Sequence, residues 1–326
     1  VKALRINDTA SRLKGQDKMT ETAETKMTAA PTAYRLADLL TDFDTFADRM
    51  EHARATGEPM GPTTGIKKLD RQLCGYMAPG MHVLKGGPAV GKTAFALQLA
   101  ASCQCPALYV SCEMSALEML RRHTARVTET HLGRFKDPYP DEGNESDEKL
   151  PYLKASDAKA LARKAVAEAP SLVLVDATTA FAPLDYLQEE AEAWREKMKA
   201  HDVLLVIDSL HSWARGMEGE EYGRLDMAMK ELTALAHTLK APILCISERT
   251  KAANQGDDTD ALDGAGHRTI GYGPESVLSL VKNKTAKPDS FGWKPVTLVL
   301  DKNRNGAGGY RIDLKFHGGF QAFKEA

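Results

Sequence analysis

Short, almost uniformly apolar runs alternate with longer segments that show helical spacing over most of this chain. The runs are rich in Val, Ile and Leu, and several end on a carboxylate or a hydroxyl residue. Strands that are apolar on both faces are typical of a parallel sheet covered by helices on either side. The sequence therefore predicts an α/β fold with a mainly parallel central sheet. The predicted strands are 81–85, 107–112, 171–176, 203–208, 243–247, 277–281, 296–300 and 310–316.

The N-terminal part has a different pattern. Residues 1–30 hold almost no large apolar side chains, which predicts a disordered tail. In residues 34–55, apolar positions recur every three or four residues, which predicts an amphipathic linker helix, interrupted near Thr41 and Asp42. We expect three parts: the tail, a linker helix with a Gly/Pro tether over 31–61, and one α/β domain over 62–326. The apolar stripe of the helix packs either on its own domain or on a neighbouring subunit, and the pattern leaves both open.

A glycine-rich loop follows the first predicted strand of the α/β domain and precedes an apolar helix. Strand, loop and helix are the context in which G-x-x-x-x-G-K-[ST] binds phosphate, through inward-facing backbone N–H groups and a helix N-terminus. This motif predicts binding of ATP and Mg²⁺, with the lysine reaching the β- and γ-phosphates and the threonine hydroxyl binding the metal. The residues that fit are Gly86, Gly87, Pro88, Ala89, Val90, Gly91, Lys92 and Thr93.

Carboxylates end three other predicted strands, and carboxyl ends of parallel strands meet at one edge of a sheet. Asp208 closes an apolar run, the Walker-B pattern, and is predicted to hold Mg²⁺ with Thr93, through water; a helix cap is the alternative. Glu113 is the candidate that polarises the attacking water, and a surface carboxylate is its alternative. Glu248 ends the fifth strand and is placed beside the nucleotide.

A basic turn follows a late predicted strand. It carries Lys302 and Arg304, and Gly308 and Gly309 come shortly after it. An arginine on such a turn can enter the nucleotide site of a neighbouring copy as an arginine finger and stabilise the charge that develops during hydrolysis. An ordinary basic hairpin is the alternative.

Composition and charge narrow the choice of partners. The net charge of −2 argues against a protein that binds nucleic acid over its whole surface, so DNA contact must be local. Residues 250–274 form a long polar segment whose acidic residues weaken it as a phosphate-binding surface. Five scattered cysteines and the lack of a ~20-residue apolar run favour a reducing, cytoplasmic setting without membrane contact. The DNA-binding candidates are Arg249, Lys251, His267 and Arg268.

Together these motifs resemble the RecA-like ATPase domain of DnaB-family replicative helicases, in order, from about residue 62 to 323. The matching stretches are 64–70 with 80–93, 112–114, 206–210 and 302–306. The resemblance implies a catalytic Glu113, a finger made by Lys302 and Arg304 that acts across a subunit boundary, and a hexameric ring of identical subunits on single-stranded DNA. A loader or primase would be a further partner.

Two departures from the family pattern separate the function hypotheses. The family has Gln where this chain has Glu248, and only the 34–55 helix precedes the core, without the family's large N-terminal helical domain. A DnaB-like helicase of a plasmid, phage or mobile element is therefore the favoured function. Residues 268–273 also resemble RadA- and KaiC-type ATPases, so an ATPase that binds DNA or protein without processive unwinding is the alternative.

Overall fold

The computed structural model describes residues 33–136, 153–248, 273–283 and 285–326, with the backbone alone at 221, 222 and 248. The chain divides into two compact units, one ending at Asp48 and the other running from Arg49 to Ala326. The predicted tail lies outside the described residues. In the first unit, a 3-10 turn (Leu36–Leu39) leads into helix α1 (Leu40–Thr56), which continues past the division. The predicted interruption is this change of helix type. The side chains of Leu36 and Phe43 are exposed.

Within the described part of the second unit, nine strands form one sheet in the order β3-β2-β4-β5-β1-β6-β7-β8-β9. Strands β1 to β6 pair in parallel, and β6 to β9 pair in antiparallel fashion. The prediction of a mainly parallel central sheet is thereby confirmed. The strands are β1 (Gly80–Gly86), β2 (Ala107–Ser111), β3 (Leu172–Asp176), β4 (Leu204–Asp208), β5 (Pro242–Glu248), β6 (Ser276–Lys282), β7 (Lys294–Asn303), β8 (Tyr310–His317) and β9 (Ala322–Glu325).

Helices cover both faces of the parallel strands. Alternate residues of one strand enter different cores, since successive side chains of a strand point to opposite faces. Val206 packs in the core that contains α3, while Ile207 packs in the core that contains α8. This explains why the strands are apolar without alternation. The remaining helices are α2 (Lys67–Gln72), α3 (Lys92–Ser102), α4 (Ala116–Thr128), α5 (Ala155–Ala167), α6 (Leu184–Lys197), α7 (Leu210–Ala214) and α8 (Glu221–Leu239), with a 3-10 turn at Leu132–Phe135.

Two short elements were not predicted from the sequence. Helix α7 has five residues and strand β9 has four. Neither is long enough to show a hydrophobic period, so local pattern alone does not reveal them. Strand β9 forms because it pairs with β8 and buries Phe323. In the parts of the chain that the structure describes, none of the helices is both long and apolar enough to cross a membrane.

Candidate nucleotide-binding and catalytic site

The glycine loop connects β1 to α3, as the motif predicts. Its last glycine, Gly91, has a left-handed backbone (φ 96°) and is the N-cap of α3. A Cβ at this position would lie 2.9 Å from the ring of Phe316 and 2.9 Å from the ring of Phe323. The two rings stack on each other, and Phe323 meets Phe95 of α3 edge to face. Backbone conformation and close packing therefore both require glycine here.

The ammonium group of Lys92 is held at the start of the loop. Its Nζ donates to the carbonyl oxygens of Gly86, at 3.0 Å, and Gly87, at 3.3 Å. The same positive charge favours the ionised form of two nearby carboxyl groups, those of Glu113 and Asp208. The loop, the lysine and both carboxylates thus lie at one edge of the sheet.

Asp208 lies at the end of β4, and its side chain is 3% exposed. Burial raises the pKa of this carboxyl group above its ordinary value, while hydrogen bonds from Tyr109 and Thr93 oppose that shift. The Tyr109 hydroxyl donates to Oδ2 at 2.7 Å. A buried carboxylate beside a threonine hydroxyl is a hard oxygen donor set of the kind that suits Mg²⁺. The residues present therefore fit this metal.

Glu113 follows β2 and presents its carboxylate beside the short helix α7. The hydroxyls of Ser209 and Ser212 both donate to Glu113 Oε1, each at 2.7 Å. Partial burial raises the pKa of this carboxyl group, but the two hydrogen bonds and the charge of Lys92 outweigh it, so the net pKa is lowered. Glu113 is thus held in its ionised form, which is the form that can accept a proton or orient a water molecule.

The other predicted site residues fall into two groups. Glu248 ends β5, and its backbone is level with Gly86 at the start of the glycine loop, while its side chain is outside the description. Of the DNA-binding candidates, Arg249, Lys251, His267 and Arg268 all lie outside the described residues. Their roles stay predictions.

Arg304 lies at the opposite end of the sheet from the glycine loop of its own chain. In the register of β1 and β6, Gly86 is level with Leu280, whereas Asn303 pairs with Ser276. Four residues of strand separate these levels, or about 13 Å along the sheet. Glu275 holds the guanidinium: Arg304 Nη1 donates to its Oε1 at 2.8 Å. The finger candidate is therefore directed away from the site of its own protomer.

Lys302 precedes this turn, at the end of β7. Burial lowers its pKa, the charge of Arg304 lowers it further, and Glu275 opposes both. The two predicted finger cations, Lys302 and Arg304, thus form one cluster with a single carboxylate between them.

Sequence reasoning missed the residues that support this site. Tyr109, Ser209 and Ser212 hold the two carboxylates, and Lys282 donates to the loop carbonyl of Pro88 at 3.2 Å. One signal was available, because a serine before a short helix is a favoured N-cap and Ser209 caps α7. Lys282 had been interpreted as part of a solvated hairpin, whereas the structure places it against the glycine loop.

A parallel sheet whose first strand leads through a glycine loop into a helix, with two carboxylates at the same edge, defines a RecA-like P-loop fold. A family model, the DnaB-like helicase C-terminal domain, matches residues 61–325. The chain belongs to this family.

Curated relatives include the replicative DNA helicase DnaB of Haemophilus influenzae, 22% identical over 81% of this chain. The replicative DNA helicase DnaB of Geobacillus stearothermophilus is 24% identical over 80% of it. The matches cover 55% of each relative, so the chain spans about half the length of the curated relatives it matches.

Solved structures show the same fold. One of them, an ATPase domain solved by itself, superposes with a TM-score of 0.71 at 18% identity, covering 88% of this chain and 98% of that one. A DnaB-like replicative helicase, studied with its interactions with primase, gives 0.68 at 19% identity, covering 87% of this chain and 66% of that one. A KaiC-like protein from Pyrococcus horikoshii OT3 gives 0.51 at 16% identity, covering 81% and 97%. At these identities the likeness bears on the fold alone.

Proposed function

We propose that this protein is an ATP-dependent DNA motor, a DnaB-like helicase-type ATPase that acts on single-stranded DNA as a hexameric ring. The observation that carries the proposal is the meeting of Lys92, Asp208 and Glu113 at one edge of the sheet. Phosphate binding, metal binding and water activation then occur within a single site, which is what hydrolysis of a nucleoside triphosphate requires.

Each residue of the site has a role in this proposal. The loop residues 86–93 bind the phosphates, and Lys92 moves from the loop carbonyls to the β- and γ-phosphates. Thr93 and Asp208 hold Mg²⁺, which when bound neutralises charge on the phosphate oxygens. Glu113, fixed by its two serines, orients the attacking water. Glu248 stands where a γ-phosphate sensor would be.

The position of Arg304 supports an oligomer. Because it is about 13 Å along the sheet from the loop level of its own chain, its guanidinium serves a neighbouring copy. A ring in which each subunit completes the next site satisfies this arrangement, with Lys302 beside the finger. In this proposal 62–326 is the ATPase domain, 31–61 links it to a neighbouring subunit, and Arg249, Lys251, His267 and Arg268 contact DNA. A loader or primase is a further partner, in a cytoplasmic setting such as that of a plasmid, phage or mobile element.

A forked-duplex assay tests the proposal. We expect ATP hydrolysis that is stimulated by single-stranded DNA, together with ATP-dependent release of one labelled strand from the fork. The Lys92→Ala protein is the matched control for both. Intact ATP hydrolysis without any strand release, across a range of protein concentrations, would remove the helicase activity from the proposal.

That outcome would favour a second function, a KaiC- or RadA-type ATPase that binds DNA or protein without processive unwinding. Glu248 in place of the family's Gln and the fold shared with the Pyrococcus KaiC-like protein favour it. Electron microscopy with an ATP analogue and single-stranded DNA separates the two. A closed ring around the strand supports the motor, and a filament or a DNA-free ring supports the second function.

A further inference from the structure

A tyrosine occupies the middle of β2, where the fold needs only an apolar side chain. Tyr109 is fully buried, and its ring packs among aliphatic residues in the core that contains α3. A buried hydroxyl group destabilises a core unless it finds a hydrogen-bond partner. Here the partner is Asp208 Oδ2, at 2.7 Å. Packing accounts for the ring of Tyr109, but not for its hydroxyl.

The strand register explains how the hydroxyl reaches this carboxylate. Tyr109 is level with Val206 on the neighbouring strand β4, and Asp208 is two residues further along on the same face. That face carries α3, whose first turn contains Thr93. The tyrosine therefore approaches Asp208 from within the sheet, while the Thr93 hydroxyl hydrogen-bonds the same carboxylate from the side of the glycine loop.

We propose that Tyr109 is a positioning residue for the metal site: its hydroxyl fixes the rotation of the Asp208 carboxylate and keeps the remaining lone pairs directed towards Thr93 and a hydrated divalent cation. The inference rests on the proposed function. The terminal torsion of an aspartate is soft, so one strong hydrogen bond to one oxygen determines where the other points. Removing it leaves a buried oxygen atom without its donor and the carboxylate free to turn.

The expected effect is on metal binding. Loss of an outer hydrogen bond to a metal-binding carboxylate typically weakens metal affinity about 10- to 100-fold. We therefore expect Tyr109→Phe to need about 10- to 100-fold more Mg²⁺ or Mn²⁺ to reach half-maximal metal-dependent nucleotide binding. Nucleotide binding in EDTA should be unchanged, because the glycine loop and Lys92 do not contact the hydroxyl. A purely structural role would lower both.

The test measures binding of a fluorescent ADP analogue as Mn²⁺ or Mg²⁺ is added, with bound Mn²⁺ followed by electron paramagnetic resonance. Thr93→Ala is the variant expected to lose the same metal dependence. Tyr76→Phe, which removes a hydroxyl from a loop outside the site, is the matched control. Melting in EDTA reports folding, and Tyr109→Met, which also fills the space without a hydroxyl, repeats the comparison if the Phe variant does not fold.

The outcomes are distinct. A shift of the metal requirement in Tyr109→Phe, with normal binding in EDTA, supports the inference. A metal requirement within about twofold of the unchanged protein, well below the expected loss, overturns the inference and leaves the proposed function standing. If the unchanged protein itself binds nucleotide without any effect of metal, the proposed function fails, and the inference fails with it.

Discussion

Arg304 is bound to Glu275 at the end of the sheet where β1 begins, whereas the glycine loop lies where β1 ends. The arginine that resembles a catalytic finger is thus held by its own chain, but out of reach of its own nucleotide site. This separation makes the finger assignment testable with single variants.

Arg304→Ala should leave nucleotide binding intact and reduce ATP hydrolysis about 10³-fold or more, which is the usual contribution of an arginine finger. The measurements are steady-state hydrolysis and the affinity for a fluorescent nucleotide. Arg311→Ala removes the same charge from an exposed position on β8 and is the control. Hydrolysis at the normal rate in Arg304→Ala would show that the turn is an ordinary basic hairpin.

Lys92→Ala should abolish nucleotide binding, because its ammonium is the cation placed by the loop carbonyls and lies near both site carboxylates. Equilibrium binding of labelled ATP checks this prediction, with Lys287→Ala as a charge-matched surface control. Near-normal turnover in Lys92→Ala would contradict the assignment of the nucleotide site.

Gly91→Ala should destabilise the protein and prevent nucleotide binding. The left-handed backbone at this position disfavours any side chain by roughly 1–2 kcal/mol, and the new Cβ would also press on Phe316 and Phe323. Urea unfolding and nucleotide binding are the measurements. Gly223→Ala is the control: this glycine lies in helix α8 with open space around it, so alanine should stabilise the protein by about 0.5–1 kcal/mol. Equal effects of the two changes would refute the argument.

His82 predicts a loss of stability in acid. It is buried, with Nε2 next to the Ala78 carbonyl and Nδ1 next to the Ser276 hydroxyl. A carbonyl can only accept, so we assign the proton to Nε2 and acceptance to Nδ1. Burial lowers the pKa of His82 from 6.5 to about 4, although the Ala78 hydrogen bond opposes the shift. Because the unfolded chain takes up a proton near pH 6.5 and the folded chain does not, stability is lost as pH falls from 6.5 towards 4.

Between pH 7 and pH 5 this single histidine contributes about 2 kcal/mol to the decrease in unfolding free energy. His82→Gln should be less stable at pH 7, since it loses the Ser276 contact, but its decrease between the two pH values should be smaller by that amount. Urea unfolding at both pH values measures it. The exposed His201→Gln is the control, and an unchanged decrease in His82→Gln would contradict the prediction.

Local pattern was enough for the strands that carry the site, because an apolar run of five residues needs no partner to be recognised. The glycine loop was equally clear, since its function depends on contiguous residues. What the sequence could not provide are contacts set by strand register. Tyr109 meets Asp208 only because β2 and β4 are neighbours, 99 residues apart in sequence, and Arg304 faces away from its own loop only because β7 runs antiparallel to β6. Strand order is a property of the whole fold.

The most direct test of a site shared between copies is a mixing experiment. Glu113→Ala and Arg304→Ala are each expected to be inactive alone, and their mixture contains interfaces that join an intact Arg304 to an intact Glu113. The account predicts that hydrolysis reappears on mixing and is greatest at intermediate ratios. Hydrolysis that stays at the level of the separate variants at every ratio, although mixed oligomers form, would contradict it.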